Sequence, residues 1–495
     1  MILYGVVSLL AIRTPVYEEL VSLGKGLLWI GLGWSLIQIG GAVRSFLLRG
    51  TVIIAAVVAF VTLLATKGFY ITPYAHWNKF LFPIGNAIYY GDFMALHLPL
   101  GMYLLFVEDQ KLRRVFWTIS LVLIFMGLWL SECRASFVGL SVSLPFGGFL
   151  LVKSRFLNRK SFAILMLSFV LLGVFSDRFV SGRPGEIPTW NRLKGLAVMP
   201  LRSDLNEVSG GRVHTYLNTL EMIRDRPFLG WGPGSFRFVY PEYAHRIGYD
   251  PHIRMEQWLE HPLNELLNQA VEGGFCGVSL FVIWWIILFG LAWRSLRLSQ
   301  DRDESLLLIT ALVGLVFLSI SWQFSLSSIF PLTRFLVAFY LSMLWPLLRI
   351  NTVRVLTSPV WLQPVLLILI SFLTLFTLSY QFSLYASVKG QSAKTIDAQK
   401  GWLKCAVSLA PWGFEPLLRS SSRYLWTTER EKAWPFVEGL YRQFPSMPIV
   451  LYQRAAMYYQ QGDDRRALEL MEKALRVAPA NPDATRWVEF LKGRF

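Results

Sequence analysis

The sequence predicts an all-α protein: a polytopic membrane helix bundle of about 11 spans, with a large outer loop and a C-terminal α-helical repeat domain. Three observations predict it. Of 495 residues 54% are hydrophobic, with 19 tryptophans and a mean hydropathy of +0.45, a composition rare in soluble chains of this length. Apolar runs of spanning length recur up to residue 382, with basic residues gathered in alternate connections. From residue 383 the composition turns soluble and a 34-residue period sets in.

The first apolar stretch, MILYGVVSLLAI at 1–12, has neither a basic leader region nor a small-residue cleavage site, so it reads as a short span rather than a signal peptide. Ten further runs lie at about 25–43, 51–66, 81–107, 115–131, 135–152, 161–178, 273–293, 305–322, 328–348 and 359–382. Arg44 and Arg49 share one connection, Lys111, Arg113 and Arg114 another, and Lys153, Arg155, Arg159 and Lys160 a third. Arg294, Arg297 and Arg302, then Arg349 and Arg354, complete the series. Basic loops stay in the cytoplasm. The N-terminus is therefore expected inside, the long loop of roughly 179–262 outside, and the tail outside. The same rule accounts for the formal charge of +16, so no nucleic-acid partner is implied. Three scattered cysteines, Cys133, Cys276 and Cys405, make no disulfide framework.

In the tail, Pro411, Pro445 and Pro479 recur at intervals of 34 residues. The unit LYQRAAMYYQQGDDRRALELMEKALRVAP, 451–479, fits a tetratricopeptide pattern through Ala455, Tyr458, Gly462, Ala467, Ala474 and Pro479, with Ala406 and Ala433 at equivalent places in earlier units. Small residues at those offsets let paired helices pack closely and stack on the next pair. The expected division is 1–382 for the membrane core, with its outer loop at about 179–272, and 383–495 for outer-face repeats that serve as a binding surface or a packing module.

Polar chemistry concentrates on the expected outer side. In EHPLNELLNQAVEGGFCG, 260–277, Pro262 suits a first helical turn. His261, Glu265, Asn268 and Glu272 then share one face, and Leu266, Leu267, Ala270 and Val271 the other. Gly273 and Gly274 are placed to break that helix before the next span. Alone, the stretch reads as an interfacial helix with a solvated polar face. SGGRVHTYLNTLEMIRDRPFLGWGPGSF, 209–236, puts Arg212 at a helix start and follows the helix with a turn whose Gly232 and Gly234 can offer amides to an anion. SECRASF, 131–137, sets Arg134 at a membrane edge, where it must snorkel or meet an anion.

Arg134 in a serine-bearing turn, Arg212 in SGGR, GWGPGSF and HPLNELLNQAVEGG follow the order and spacing of the O-antigen ligase/polymerase superfamily, which the chain resembles over roughly 25–382. GNAIYYGDFMALHLPLGM, 85–102, is also similar to that family. The resemblance implies an enzyme in the bacterial inner (cytoplasmic) membrane that takes a glycan from undecaprenyl diphosphate and joins it to a hydroxyl of lipid A core, a protein or another glycan. The HPLNELLNQAVEGG wording is closest to the branch that glycosylates proteins. Arg134 and Arg212 would bind the diphosphate, as forked, permanently charged guanidinium groups do. His261 would be the general base, and Glu265 or Glu272 would orient it or bind sugar. Asn264, Asn268, Gly232 and Gly234 would support them. No metal-ligand spacing is present and no cofactor is implied. Direct displacement predicts inversion at the anomeric carbon.

One departure stands out. The family usually has a histidine directly before the asparagine, and here that residue is Leu263. His245, His252 and Glu265 are alternative bases. Two readings of other classes follow: a polysaccharide transporter, disfavoured because the spans carry few charges, and a non-catalytic scaffold.

Overall fold

A computed structural model describes residues 16–66, 69, 84–180, 211–248, 250, 252–253, 259–325, 330–348, 362–479 and 481–495. The short first span expected at 1–12 lies outside them. Ten helices account for the other apolar runs: α1 (Val16–Gln38), α2 (Gly41–Thr66), α3 (Ala87–Val107), α4 (Lys111–Ser131), α5 (Arg134–Lys153), α6 (Arg159–Val180), and, beyond the loop, α9 (Glu265–Leu298), α10 (Arg302–Ser321), α11 (Pro331–Leu344) and α12 (Leu362–Ser392). Among the described residues, eight of these are long and apolar enough to cross a membrane, and α11 is a shorter apolar helix. The loop contributes α7 (Arg212–Asp225) and α8 (Phe236–Val239), and the described residues contain no strand.

The core of the bundle is α3 and α10, the two helices most enclosed by their neighbours. Leu96, Leu98, Leu100, Leu312, Leu315, Phe317 and Phe339 are fully or almost fully buried there. Helices without a partner face keep apolar side chains outward, as with Ile164, Leu167 and Leu171 of α6, which suits contact with lipid. The ends of the helices sort by chemistry. At one end Lys153 lies over the Trp293 ring (5.3 Å) and Arg302 over Phe156 (5.7 Å), so the basic connections come together. At the other end lie the acidic start of α1, the α4–α5 turn, the loop, the end of α10 and the tail.

The tail is a run of helices, α13 (Ile396–Leu409), α14 (Phe414–Leu425), α15 (Trp434–Gln443), α16 (Pro448–Gln460), α17 (Asp464–Val477) and α18 (Pro482–Lys492), in which α16 packs chiefly on α17. Helices α14, α16 and α18 begin at 414, 448 and 482, 34 residues apart. Pro411, Pro445 and Pro479 each stand two residues beyond a helix end, where a residue that cannot continue a helix belongs. Ala406, Ala433, Ala455, Ala467 and Ala474 are fully buried. Helix α12 runs unbroken through residue 382, so the last apolar helix passes directly into the tail.

The tail does not hang free. Phe238 of α8 sits 4.6 Å from Phe444 and 5.6 Å from Phe414, ring to ring. Ala478 is buried within the loop's own cluster of Met222, Phe236, Tyr240 and Val271. Glu18 of α1 closes the junction. It accepts from Arg237 Nη2 at 2.6 Å, from the Phe414 amide at 2.9 Å and from the Tyr380 hydroxyl at 3.2 Å. Loop, tail and two membrane helices thereby meet at one carboxylate.

Candidate active site

The stretch 260–274 departs from the simple helix that its spacing predicts. Pro262 does not enter the helix. Leu263 takes a left-handed conformation (φ 58°), Asn264 is the N-cap, and α9 starts at Glu265. Asn264 Oδ1 accepts from the Leu267 amide at 3.0 Å, which satisfies one of the donors a helix start leaves open. His261 therefore stands outside the helix, yet its Nδ1 lies 3.4 Å from Asn268 Oδ1. With Nδ1–H donating to that oxygen, Nε2 keeps its lone pair. The interfacial reading is corrected too. Glu265 and Asn268 are each only 6% exposed, while Leu266 is 36% exposed, so the polar face turns into protein.

Gly274 (φ 57°, ψ −160°) breaks α9 where the apolar run begins. The GWGPGSF turn closes onto this break. The Trp231 amide donates to the Val271 carbonyl (2.7 Å), the Gly232 amide to the Glu272 carbonyl (3.0 Å) and the Gly234 amide to Glu272 Oε1 (2.9 Å). Gly232 and Gly234 have φ of 99° and 74°, conformations that glycine adopts without strain. The Gly234 amide thus serves the Glu272 side chain, and the Gly232 amide the Glu272 backbone.

Arg212 opens α7 behind Gly211 (φ 85°), and its Nη1 donates to the Phe324 carbonyl at 2.7 Å. That carbonyl belongs to a series. The Trp322 carbonyl accepts the Glu265 amide (2.9 Å), and the Gln323 carbonyl accepts Asn264 Nδ2 (2.8 Å). Three consecutive carbonyls just past α10, where a helix end has acceptors to spare, hold the start of α9 and the arginine of α7. Tyr216 of α7 adds a bond from its hydroxyl to the Leu263 carbonyl (3.4 Å).

Arg134 is the first residue of α5, after a turn in which Glu132 is left-handed (φ 52°) and Cys133 is the N-cap. Two residues on, the Ser136 hydroxyl donates to Asp92 Oδ1 of α3 at 2.6 Å. Asp92 also accepts from Ser321 and Ser325, which flank the three carbonyls. Arg212 and Ser136, two residues after Arg134, are therefore both linked to the segment 321–325 at the end of α10.

The other histidines considered as bases are engaged elsewhere. His245 Nε2 donates to the Val477 carbonyl of the tail (2.7 Å) while its Nδ1 accepts the Asp250 amide (3.2 Å). His252 Nδ1 meets Asp250 Oδ1 at 2.8 Å. Asp250 in turn accepts from Thr215 and Tyr240, so this network knits the loop together. Around His261 the structure gathers cations that spacing along the sequence does not reveal: Arg237 of α8, Arg334 of α11 and Lys25 of α1. Withdrawal from water chiefly, and these three charges in addition, push the imidazole down to about 4, against an opposing contribution from Asn268. Arg334 was visible as a lone charge inside an apolar run, whereas nothing in the sequence places Lys25 or Arg237 beside His261.

Residues 119–282, from within α4 through the loop and the break in α9, match the family model of the O-antigen ligase. Over this third of the chain the protein is similar to the O-antigen ligase family. The match holds Arg134, Arg212, Gly232, Gly234 and the whole stretch from His261 to Glu272, while Asp92, Arg334 and the tail lie beyond it. No curated protein matches the chain. That similarity supports a ligase- or polymerase-like membrane glycosyltransferase. In this helix bundle the polar residues collect at one end, beside the ends of α1, α3, α5, α9, α10 and α11.

Proposed function

We propose that this chain moves a glycan from undecaprenyl diphosphate to an acceptor hydroxyl of lipid A core or protein, at the outer face of the bacterial cytoplasmic membrane. The observation that carries the reading is the carbonyl series 322–324. It holds Arg212 and the start of α9, and with them His261, on one short piece of backbone. A diphosphate at headgroup depth reaches this end of the bundle while its polyprenyl chain stays among the helices.

Arg134 and Arg212 bind the diphosphate oxygens and neutralise charge as the leaving group departs, a task that some enzymes give to a metal ion. The acceptor oxygen attacks the anomeric carbon and the bond from that carbon to the diphosphate oxygen breaks. The hydroxyl proton passes to His261 Nε2, and undecaprenyl diphosphate leaves with the electron pair. Attack opposite the leaving group inverts the configuration. Leu263 is tolerated because His261 reaches Asn268 by a turn of the chain instead of from the helix. The repeat tail, read as tetratricopeptide-like, would hold a protein partner.

The test is release of undecaprenyl diphosphate by full-length protein in liposomes, with lipid-linked glycan and candidate acceptors. Wild type releases it, and Arg134→Ala, Arg212→Ala and His261→Ala each lose most of the activity. Glycan crossing the bilayer without covalent change would replace this reading with transport. Extension of the glycan itself would replace the ligase reading with a polymerase.

A further inference from the structure

The stretch GNAIYYGD, 85–92, has no part in the chemistry above, yet its side chains are placed with care. Asn86 caps α3, accepting from the Ile88 amide at 2.9 Å. Gly91 lets α3 meet the α4–α5 turn: a Cβ there would lie 2.6 Å from Cys133 Cβ, 2.7 Å from Ser136 Oγ and 2.8 Å from Ser131 Oγ. That approach seats Asp92, fully buried, between α5 and α10. Its Oδ1 accepts from Ser136 (2.6 Å) and Ser321 (2.8 Å), and its Oδ2 from Ser321 (2.9 Å) and Ser325 (3.2 Å).

Ser321 and Ser325 are the residues on either side of the carbonyls that hold Glu265, Asn264 and Arg212. We propose that Asp92 is a positioning residue for donor binding: by fixing Ser136, Ser321 and Ser325 it sets Arg134 and Arg212 at the spacing that one diphosphate requires. The proposal rests on the glycosyl-transfer reading above. A buried carboxyl with this many donors costs free energy unless all its bonds are kept, so the arrangement resists drift. The backbone of 322–324 turns back onto the end of α10 through the Trp322, Gln323 and Phe324 amides, and Asp92 ties that turn to α3 and α5. Asp92 touches no substrate, and its effect is carried by the backbone of 322–324.

The experiment compares Asp92→Ala, Asp92→Asn and the double variant Ser321→Ala/Ser325→Ala with wild type, all as the full chain in nanodiscs. Loss of hydrogen bonds to a buried carboxyl is expected to raise the donor KM about tenfold or more in Asp92→Ala. The acceptor KM stays within about twofold, because the acceptor does not use the two arginines. Asp92→Asn keeps the shape and one acceptor oxygen and falls in between, a graded rescue that a purely space-filling role would not give. Hydrogen exchange by mass spectrometry quickens at the starts of α7 and α9 in Asp92→Ala and in the double serine variant. Unchanged donor KM and unchanged exchange in Asp92→Asn and the double serine variant would overturn the proposal, even if Asp92→Ala failed to fold. An equal rise in both KM values would overturn it too. If wild type released no undecaprenyl diphosphate, the transfer reading would fail by itself, and the exchange measurement would still decide whether Asp92 fixes the two helix starts.

Discussion

Replacing Gly274 by alanine is expected to be among the most damaging single-methyl changes in the chain. The backbone there (φ 57°, ψ −160°) lies where side-chain-bearing residues rarely go, which costs about 1–3 kcal/mol. The added Cβ would also lie 2.3 Å from the Phe228 carbonyl carbon, 2.4 Å from its oxygen and 2.6 Å from the Pro227 oxygen. These are backbone atoms and cannot rotate aside. Relieving the clash means parting the loop from α9, which breaks the bonds from the Phe275 amide to Pro227 (2.7 Å) and from the Cys276 amide to Phe228 (3.3 Å). At about 1 kcal/mol for each bond, the total is about 3–5 kcal/mol. Gly290 supplies the control, since a Cβ there meets nothing within 4 Å and the same substitution should be close to neutral. Thermal unfolding of the detergent-solubilised chain compares the two, and undecaprenyl diphosphate release reports on the site. If Gly274→Ala unfolds at the temperature of Gly290→Ala, the argument from the break in α9 is refuted.

Other expectations follow from the same contacts. Glu18→Gln leaves the Arg237 guanidinium half-buried without its counter-charge, with a loss of about 3 kcal/mol; limited proteolysis should then release the tail sooner, and a wild-type digestion pattern would count against the junction. His261, held down at about 4, is a neutral base at all higher pH, so kcat/KM should fall only as pH drops toward that value. Lys25→Met removes one depressing charge and should move this acid limb upward, toward 6.5, while a downward or absent shift would show that Lys25 does not face the imidazole. Deleting 448–495 removes Ala478 from the cluster of Met222, Phe236 and Tyr240 and should send the chain to aggregation; a stable, active truncated form would show that the loop folds without that part of the tail.

Most of the bundle was legible because lipid leaves a chain few options: an apolar run of sufficient length must satisfy its own backbone bonds, and a helix does so. The exception is instructive. Helix α1 begins at Val16, well before the apolar run expected from about residue 25, because Glu18 and Glu19 count as breaks in hydropathy while Arg237, Tyr380 and Phe414 absorb the charge of Glu18. Those partners lie hundreds of residues away. The 34-residue period was legible for a similar reason, since small residues at fixed offsets are a local demand of close packing. The site was legible only in part. Helical spacing brings His261 toward Asn268, and they do meet, but through the left-handed Leu263, whose conformation no pattern announces. Asp92 and Ser321 are 229 positions apart, and each looks like a lone polar residue in a span. Gly232 and Gly234 were recognisable as a turn that gathers amides, whereas their occupant, Glu272, came from another element.

The seat of Ala478 inside the loop's cluster has a consequence for how the molecule is made. Met222, Phe236 and Tyr240 leave the ribosome long before Ala478 does, and α9 to α12 are made in between. Throughout that interval the loop carries an interior that lacks one wall. Closure of this cluster therefore has to wait for synthesis of the segment that carries Ala478. The growing chain has no finished catalytic surface to offer while its membrane helices are still being assembled.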